Sequence, residues 1–343
     1  MRNWWKYLTV LLLTYTIVFS LYTPLKPGLF SVSKNELTTE SSNEIVVNGY
    51  NTDFTKFTSG EKYKVYVQTD GYPVYASSIE ILSPKQIKFN IDLPQLIAIK
   101  SAHLIVEYAG GHLLLPNAFS IKTSEPVNQN ELPLVKDNEL KDLKNPDVSG
   151  FPNRPMLYES IRNLMLHVPM WFAMMLVMLI SVIYSIKYLS TFNLQHDIIA
   201  KQAINVGILL GILGLATGSL WARFTWGNWW VNDAKLNGAA ITTLVYLAYS
   251  VLRGSLQEEQ QRAKISAVYN IFAFVIMIVM VLVLPKMADS LHPASGGNQP
   301  FSDLDIDNSL RVVFYPAVLG WMGLSLWFLQ LKVRIEKIEN ALS

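Results

Sequence analysis

Cysteine is absent from all 343 residues. Disulfides, thiolate metal sites, cysteine nucleophiles and any C-x-x-C-H attachment motif are therefore excluded. Charge is scarce as well, at 16% of residues, and Lys plus Arg (28) exceed Asp plus Glu (26) by only two. A polyanion such as nucleic acid is not an expected partner, and the charges matter by location rather than by sum. Histidine occurs five times, so each can be followed individually. What the chain has in excess is apolar residues, 51% with a mean hydropathy of +0.25, which is unlike an ordinary soluble protein.

Six apolar segments have membrane character: about Trp4–Tyr22, Leu164–Tyr188, Gln202–Leu220, Leu236–Leu252, Ala267–Leu284 and Val312–Leu331. Arg2 and Lys6 flank the first, as in a signal peptide. It lacks a small-x-small cleavage site and Tyr22-Thr23-Pro24 follows, so an uncleaved anchor over 1–22 is expected. With the N-terminus inside, Arg2, Lys6, Lys187, Lys201, Arg253, Arg262, Lys264, Lys332, Arg334 and Lys337 all fall on the inner side. The short outer loops hold Arg223, Lys235, Lys286 and Arg311. This bias puts residues 23–163, the segment around 226–235 and the loop 285–311 on one outer face. The spans contain almost no ionisable residues, which disfavours a transporter or an intramembrane hydrolase.

Between the first two spans, residues 44–122 read as short strands of period two: Glu44–Asn48, Tyr63–Gln68, Ser78–Leu82, Gln86–Ile91, His103–Tyr108 and His112–Leu115. Turns are expected at Asn48-Gly49, Ser59-Gly60, Asp70-Gly71 and Gly110-Gly111. Six or seven strands predict a small antiparallel β-sandwich inserted over 23–122. The runs VNGYNTDF and IEILSPKQIKFNID resemble IPT/TIG immunoglobulin-like domains. Five prolines among mixed charges mark 123–158 as a linker. Residues 159–335 form the five-helix membrane domain, and 336–343 an inner tail. The expected fold is thus a polytopic α-helical membrane protein of six spans with an all-β insert.

Two histidines return to the outer side from distant parts of the chain. His167 lies in NLMLHVPMWF, where Pro169 suits the first turn of a helix. His292 lies in LPKMADSLHPASGGN. Between them, on the same side, comes WGNWWVNDAK at 226–235, within a loop expected over 221–236. Two neutral imidazoles, a flat aromatic platform and nearby cations are what a haem requires: axial nitrogens, ring contacts, and partners for the propionates. On this reading Trp226, Trp229 and Trp230 bound the macrocycle, while Arg223, Lys235, Lys286, Arg162 and Arg311 are propionate candidates. Asn232 and Asp233 orient the loop or cap the helix that follows. Taken singly, the tryptophans suit an interfacial belt, and Met165, Met170, Met174, Met175 and Met178 suit packing. His103 and His112 lie in strands and His196 in an inner loop, so none is assigned a role.

With these residues in hand, LHVP at 166–169, WGNWWVNDAKL at 226–236 and LHPAS at 291–295 resemble, in this order, the CcmC haem-handling family of cytochrome c maturation. The resemblance covers 160–331. It implies haem b, held non-covalently and transiently, with His167 and His292 as axial ligands of the iron. It also implies that the loop with Trp226, Gly227, Trp229, Trp230 and Asp233 holds the porphyrin. Implied partners are a CcmE-like haem chaperone and the membrane subunits of a haem-handling ABC complex. The implied place is the bacterial inner membrane, with the insert, the loop and both histidines periplasmic and both termini cytoplasmic. Asn232 stands where the family usually has tryptophan, and Lys235 where it usually has arginine. The large insert has no counterpart in the family core; docking of a chaperone or of apocytochrome machinery is the role expected for it.

Haem presentation and transfer is not catalysis, so no enzyme is expected. The related synthetase branch, CcsA or CcmF, also uses a WWD loop but carries a second, intramembrane histidine pair, for which no histidine remains here. A receptor or adaptor with a partner-binding sandwich and no haem is the alternative of another class.

Overall fold

The computed structural model describes residues 3–57, 63–68, 73–94, 101–108, 111–122, 148–154, 157–288, 290, 292 and 306–342. They form two compact units, one of residues 24–158 and one helical, of residues 1–23 and 159–343.

In the first unit, nine strands make two sheets among the described residues. One has the order β1 (Gly28–Val32), β3 (Ser42–Tyr50), β7 (Gln86–Asp92), β6 (Ser78–Ser83). The other has β2 (Glu36–Thr38), β9 (Gly111–Lys122), β8 (Ala102–Tyr108), β4 (Lys64–Gln68), β5 (Pro73–Tyr75). Alternation decides which face is buried: Ile45 and Val47, Ile87, Phe89 and Ile91 from one sheet share a core with Val65, Val67, Leu104, Val106, Leu113 and Leu115 from the other.

The expected sandwich is found, with differences. Strands begin at Gly28 rather than near 44, and β2 pairs with β9 in parallel; three-residue strands are too short to show a period. Asn48-Gly49 is not a turn. Asn48 and Gly49 lie within β3 opposite Ser31 and Leu29, because β1 supplies them with a partner. β8 and β9 pair antiparallel with Tyr108 opposite Gly111, and Gly110 of the expected Gly110-Gly111 turn lies outside the described residues. Ser59-Gly60 and Asp70-Gly71 lie outside the described residues, as does most of the 123–158 linker. Its described end is part of the unit: Phe151 is buried and exchanges backbone hydrogen bonds with Pro24 and Lys26.

The helical unit contains α1 (Trp4–Tyr22), α2 (Leu164–Thr191), α3 (Leu194–Trp226), α4 (Ala234–Ser255), α5 (Glu259–Ile278), a π turn over Val279–Val283, α6 (Leu284–Met287) and α7 (Asn308–Leu342). Five helical stretches are long and apolar enough to cross a membrane: α1, α2 with its preceding 3₁₀ turn, α3, the run from α5 through α6, and α7. α4, the expected fourth of six spans, is not among these five: at 22 residues it measures about 33 Å, but Asn237 and Gly238 dilute its apolar character. Leu179, Ile183, Ile186, Leu209, Phe272, Val275 and Leu319 face outward, the reverse of a soluble protein and the arrangement lipid requires. The interior packs apolar residues such as Met174, Val177, Ile204 and Tyr246 and also buries a few polar ones. Buried Asn270 donates to Ser181 Oγ at 3.0 Å and Ser185 Oγ at 2.9 Å, joining α5 to α2. This is a polytopic helical membrane protein with an inserted β domain.

Sequence breakers and caps set the helix ends. Phe192, in the left-handed region at φ 53°, ends α2, and the Asn193 side chain caps α3 at once by accepting from Gln195 N at 2.9 Å. α2 and α3 are therefore tightly joined antiparallel neighbours. Pro169 lies in the second turn of α2, not the first, because a 3₁₀ turn over Tyr158–Asn163 leads into a helix already begun at Leu164. The expected inner tail from 336 is helical. α7 runs to Leu342, and Glu336 binds Lys201 Nζ at 2.6 Å and the Gln202 amide, both on α3. Near the same end Asp197 and Arg253 form a doubly hydrogen-bonded pair at 2.5 and 2.8 Å. The expected loop 221–236 shrinks to 227–233, since α3 continues through Trp226 and α4 starts at Ala234.

Candidate functional site

A glycine face on α3 positions His167. Gly207, Gly211, Gly214 and Gly218 recur at spacings of four, three and four, one side of the helix. Met178, Met174, Trp171 and His167 of the antiparallel α2 lie against them in that order. A Cβ on Gly214 would sit 2.8 Å from Trp171 Cε2, and one on Gly218 would sit 2.7 Å from His167 Cε1. The missing side chains are thus the space these rings occupy. His167 Nδ1 is 3.1 Å from Thr217 Oγ1, whose hydroxyl reaches the Leu213 and Gly214 carbonyls at 2.9 and 3.1 Å. A hydroxyl that gives its one proton to a carbonyl can only accept from the imidazole. This assigns the proton to Nδ1 and the lone pair to Nε2.

His292 is set differently. Its Nδ1 lies 3.0 Å from Asp233 Oδ1, with side chains 14% and 0% exposed. Ser290 Oγ donates to Asp233 Oδ2 at 2.7 Å and accepts from His292 N at 3.2 Å. Asp233 also caps α4, accepting from Lys235 N at 2.8 Å and Leu236 N at 3.3 Å. Burial pushes the His292 imidazole down to about 4; Lys235 adds to this, and the Asp233 carboxylate opposes it. Burial outweighs the carboxylate, so the contact is a neutral N–H donating to an anion, and again Nε2 carries the lone pair.

The two imidazoles approach neighbouring turns of α3. Gly218 lies against His167, and Trp221, one turn on, lies 5.9 Å from His292 between ring centroids. Those positions differ by about 4.5 Å along the axis. Trp226 stands edge-on to His292 at 5.1 Å and 73°, and Trp221 and Trp226 are 5.4 Å apart.

The turn between α3 and α4 presents its other tryptophans outward, Trp229 at 58% and Trp230 at 44% exposure. Gly227, at φ 79°, ends α3 with nothing near a Cβ, so its backbone conformation is what requires glycine. Arg223 donates to the Gly227 carbonyl. Asn232 accepts from Asn237 at 2.8 Å, and Trp230 Nε1 donates to Asn237 at 3.3 Å.

Among the other sequence candidates, Lys235 is half-buried beside Asp233 and Lys286 is exposed. Arg162 binds Glu159 and the Ser20 and Thr23 carbonyls, tying the end of α1 to the start of α2. Arg311 donates to Asn308 at 3.4 Å. Met165, Met170, Met174 and Met178 are buried packing residues. His103 accepts from Asn117 N within the sandwich, His112 faces Glu107, and His196 meets Thr191 at the opposite end of α2. Thr217, Gly218, Trp221 and Ser290 were not singled out by sequence. The four-three-four glycine spacing is the signal that reveals one of them, Gly218.

Among the described residues, no group of three or more His, Asp or Glu is arranged to hold a metal ion. The structure thus brings together a pair of imidazoles and a tryptophan-rich turn at one end of the helical bundle of a polytopic membrane protein. Residues 152–342 match the family described as Heme exporter protein C, CcmC, and the chain belongs to that family. Heme exporter protein C of Paracoccus denitrificans is 25% identical over 172 residues, 50% of this chain and 70% of that protein. Its namesake from Bradyrhizobium diazoefficiens is 29% identical over 150 residues, 43% and 56% of the two chains. Cytochrome c biogenesis protein CcsA of Prochlorococcus marinus is 38% identical over 100 residues, 28% of this chain and 31% of its own. The chain thus spans about a third of the CcsA relatives' length, and all nine strands of the β unit precede the family match.

Proposed function

We propose that this protein binds haem at the His167–His292 end of its bundle and passes it on, without a covalent bond to itself, in cytochrome c biogenesis. The observation that carries this reading is the pair of imidazoles with Nδ1 tethered and Nε2 lone pairs, packed against neighbouring turns of α3. Two donors alone are too few for a bare cation. They suit an iron whose equatorial positions are filled by a porphyrin, which supplies two axial sites when bound. His167 and His292 are the donors. Trp221, Trp226, Trp229 and Trp230 provide ring contacts, and Asp233 anchors the turn. Lys235, Lys286 and Arg223 are the cations nearest in sequence to pair with propionates.

Since the chain has no cysteine, covalent acceptance falls to another protein. A CcmE-like chaperone is the recipient proposed, with ABC-type membrane subunits as companions. The positive-charge bias supports an inner-membrane location with the site facing the periplasm. The work is ligand exchange rather than catalysis. The β unit, whose strands all precede the family match, is assigned to partner docking. Deleting residues 30–150 is expected to impair delivery while sparing haem binding, and undiminished delivery would remove that assignment.

The CcsA similarity favours a second reading, a synthetase that attaches haem. That branch needs an intramembrane histidine pair, and the remaining histidines are His103 and His112 in the sandwich and His196 at the opposite end. The deciding measurement is the visible spectrum of haem-replete protein beside His167→Ala/His292→Ala. A Soret band that collapses or shifts in the double variant is expected. No band, or one unchanged by the substitutions, refutes the ligand assignment.

A further inference from the structure

The two histidines are not equivalent, and the difference lies in what holds each Nδ1. We propose that Asp233 is a positioning residue that makes His292 the anchoring axial ligand, leaving His167, held at Nδ1 by neutral groups, as the ligand that yields during transfer. This rests on the haem reading above and goes beyond it, because that reading treats the pair as equal.

The argument begins with Asp233. It is buried to 2% exposure, a costly place for a carboxylate unless its oxygens are satisfied. Four donors converge on it: the backbone N–H groups of Lys235 and Leu236, the Ser290 hydroxyl and the His292 imidazole. The first two come from the N-terminus of α4, where the helix dipole stabilises an anion. One side chain therefore joins the tryptophan turn, the start of α4 and the His292 segment. α4 and the π turn fix the level at which that segment leaves the bundle. A Cβ on Gly238 would overlap the Met280 carbonyl, so the turn sits directly on the α4 backbone.

A carboxylate accepting from Nδ1–H draws that proton toward itself and raises the electron density at Nε2, so the imidazole becomes a stronger donor to ferric iron. A charge-assisted bond also holds the ring more firmly than a neutral one. Beside His167 lie only neutral oxygens, Thr217 Oγ1, already committed to the backbone, and the Gly214 carbonyl. His167 is consequently the weaker donor. In a ligand exchange with an incoming acceptor, the His167–iron bond breaks first, while His292 and the tryptophan turn retain the cofactor.

The test titrates ferric haem into purified full-length wild type, Asp233→Asn, Ser290→Ala, His167→Ala and His292→Ala. Affinity, Soret position and midpoint potential are read, together with the nitrogen chemical shifts of His292 in haem-free protein. Asparagine is as good an N-cap as aspartate, so Asp233→Asn keeps α4 while removing the charge. It is expected to weaken haem binding about 10- to 100-fold, raise the midpoint potential and mix the His292 tautomers. Ser290→Ala is expected to move the same readouts in the same direction by less, which keeps the test open if Asp233→Asn folds poorly. His292→Ala is expected to lose at least tenfold more affinity than His167→Ala, and added imidazole restores a six-coordinate spectrum in His167→Ala. Equal losses from the two alanine variants, or unchanged potential and affinity in folded Asp233→Asn, overturn the proposal while leaving haem binding intact. A wild type that binds no haem overturns the functional reading itself, and the anchor role falls with it.

Discussion

Substituting Gly218 by alanine adds one methyl group, and the structure says where it goes. The new Cβ would lie 2.7 Å from His167 Cε1, 3.4 Å from Nδ1 and 3.5 Å from Nε2, where ordinary contact is 3.4–4 Å. The imidazole must retreat by about 1 Å, since a core packed to crystal-like density has no slack of that size. Retreat stretches the 3.1 Å contact to Thr217 and displaces Nε2. Overpacking costs about 1–3 kcal/mol, and the gain in helix propensity returns about 1 kcal/mol. Stability should thus fall by no more than about 2 kcal/mol. Metal–ligand distances tolerate only about 0.2 Å, so haem affinity should fall at least tenfold, or about 1.4 kcal/mol. Haem titration followed at the Soret band, beside a thermal melt in the same detergent, separates the two effects. Gly207→Ala is the control: it meets the flexible end of Met178, far from His167 along the seam, and should leave the spectrum alone. Gly218→Ala protein with wild-type affinity and spectrum would refute the placement of His167 against α3.

Other outcomes follow from the same structure. His292 titrates near 6.5 when unfolded but only near 4 when folded, so below pH 6.5 the unfolded state binds the extra proton. Its contribution to stability is complete above about pH 6.5 and is lost progressively to about pH 4. At 1.4 kcal/mol per pH unit this amounts to ~3 kcal/mol. Melts of haem-free His292→Gln should show a shallower slope over that window than melts of haem-free wild type; parallel slopes would contradict it. Asp197→Ala strands the largely buried Arg253 guanidinium and should cost about 3–5 kcal/mol with little change in the haem spectrum, measured by melt and titration together. Phe89→Ala opens the sandwich core and should cost about 3–5 kcal/mol. In the full chain this should lower the transition of the β unit alone, followed by near-ultraviolet circular dichroism.

Local pattern carried a great deal of this protein. Apolar runs long enough to cross a bilayer marked the helices because lipid leaves the backbone no other partner, and alternation from Ile87 to Ile91 marked a strand because one face must be buried. Histidine scarcity left two candidates on one side, and the tryptophan turn stood between them. What sequence could not supply was anything that depends on a distant partner. Asn48-Gly49 reads as a turn and is strand, because β1 lies beside it. Residues 221–226 and 234–236 read as loop and are helix, because Gly227 and Asp233 end α3 and begin α4 more tightly than composition suggests. The expected tail is helix because Glu336 meets Lys201. Gly218, Thr217, Trp221 and Ser290 have no chemistry of their own to announce them. Only the antiparallel packing of α2 on α3 places His167 in a space left by a glycine. Only the return of the segment after α6 sets His292 on a carboxylate that already caps a helix. Periodicity is a property of neighbours in the chain and can be read there. The pairing of each imidazole with its own Nδ1 partner is a property of neighbours in space, which tertiary structure alone decides.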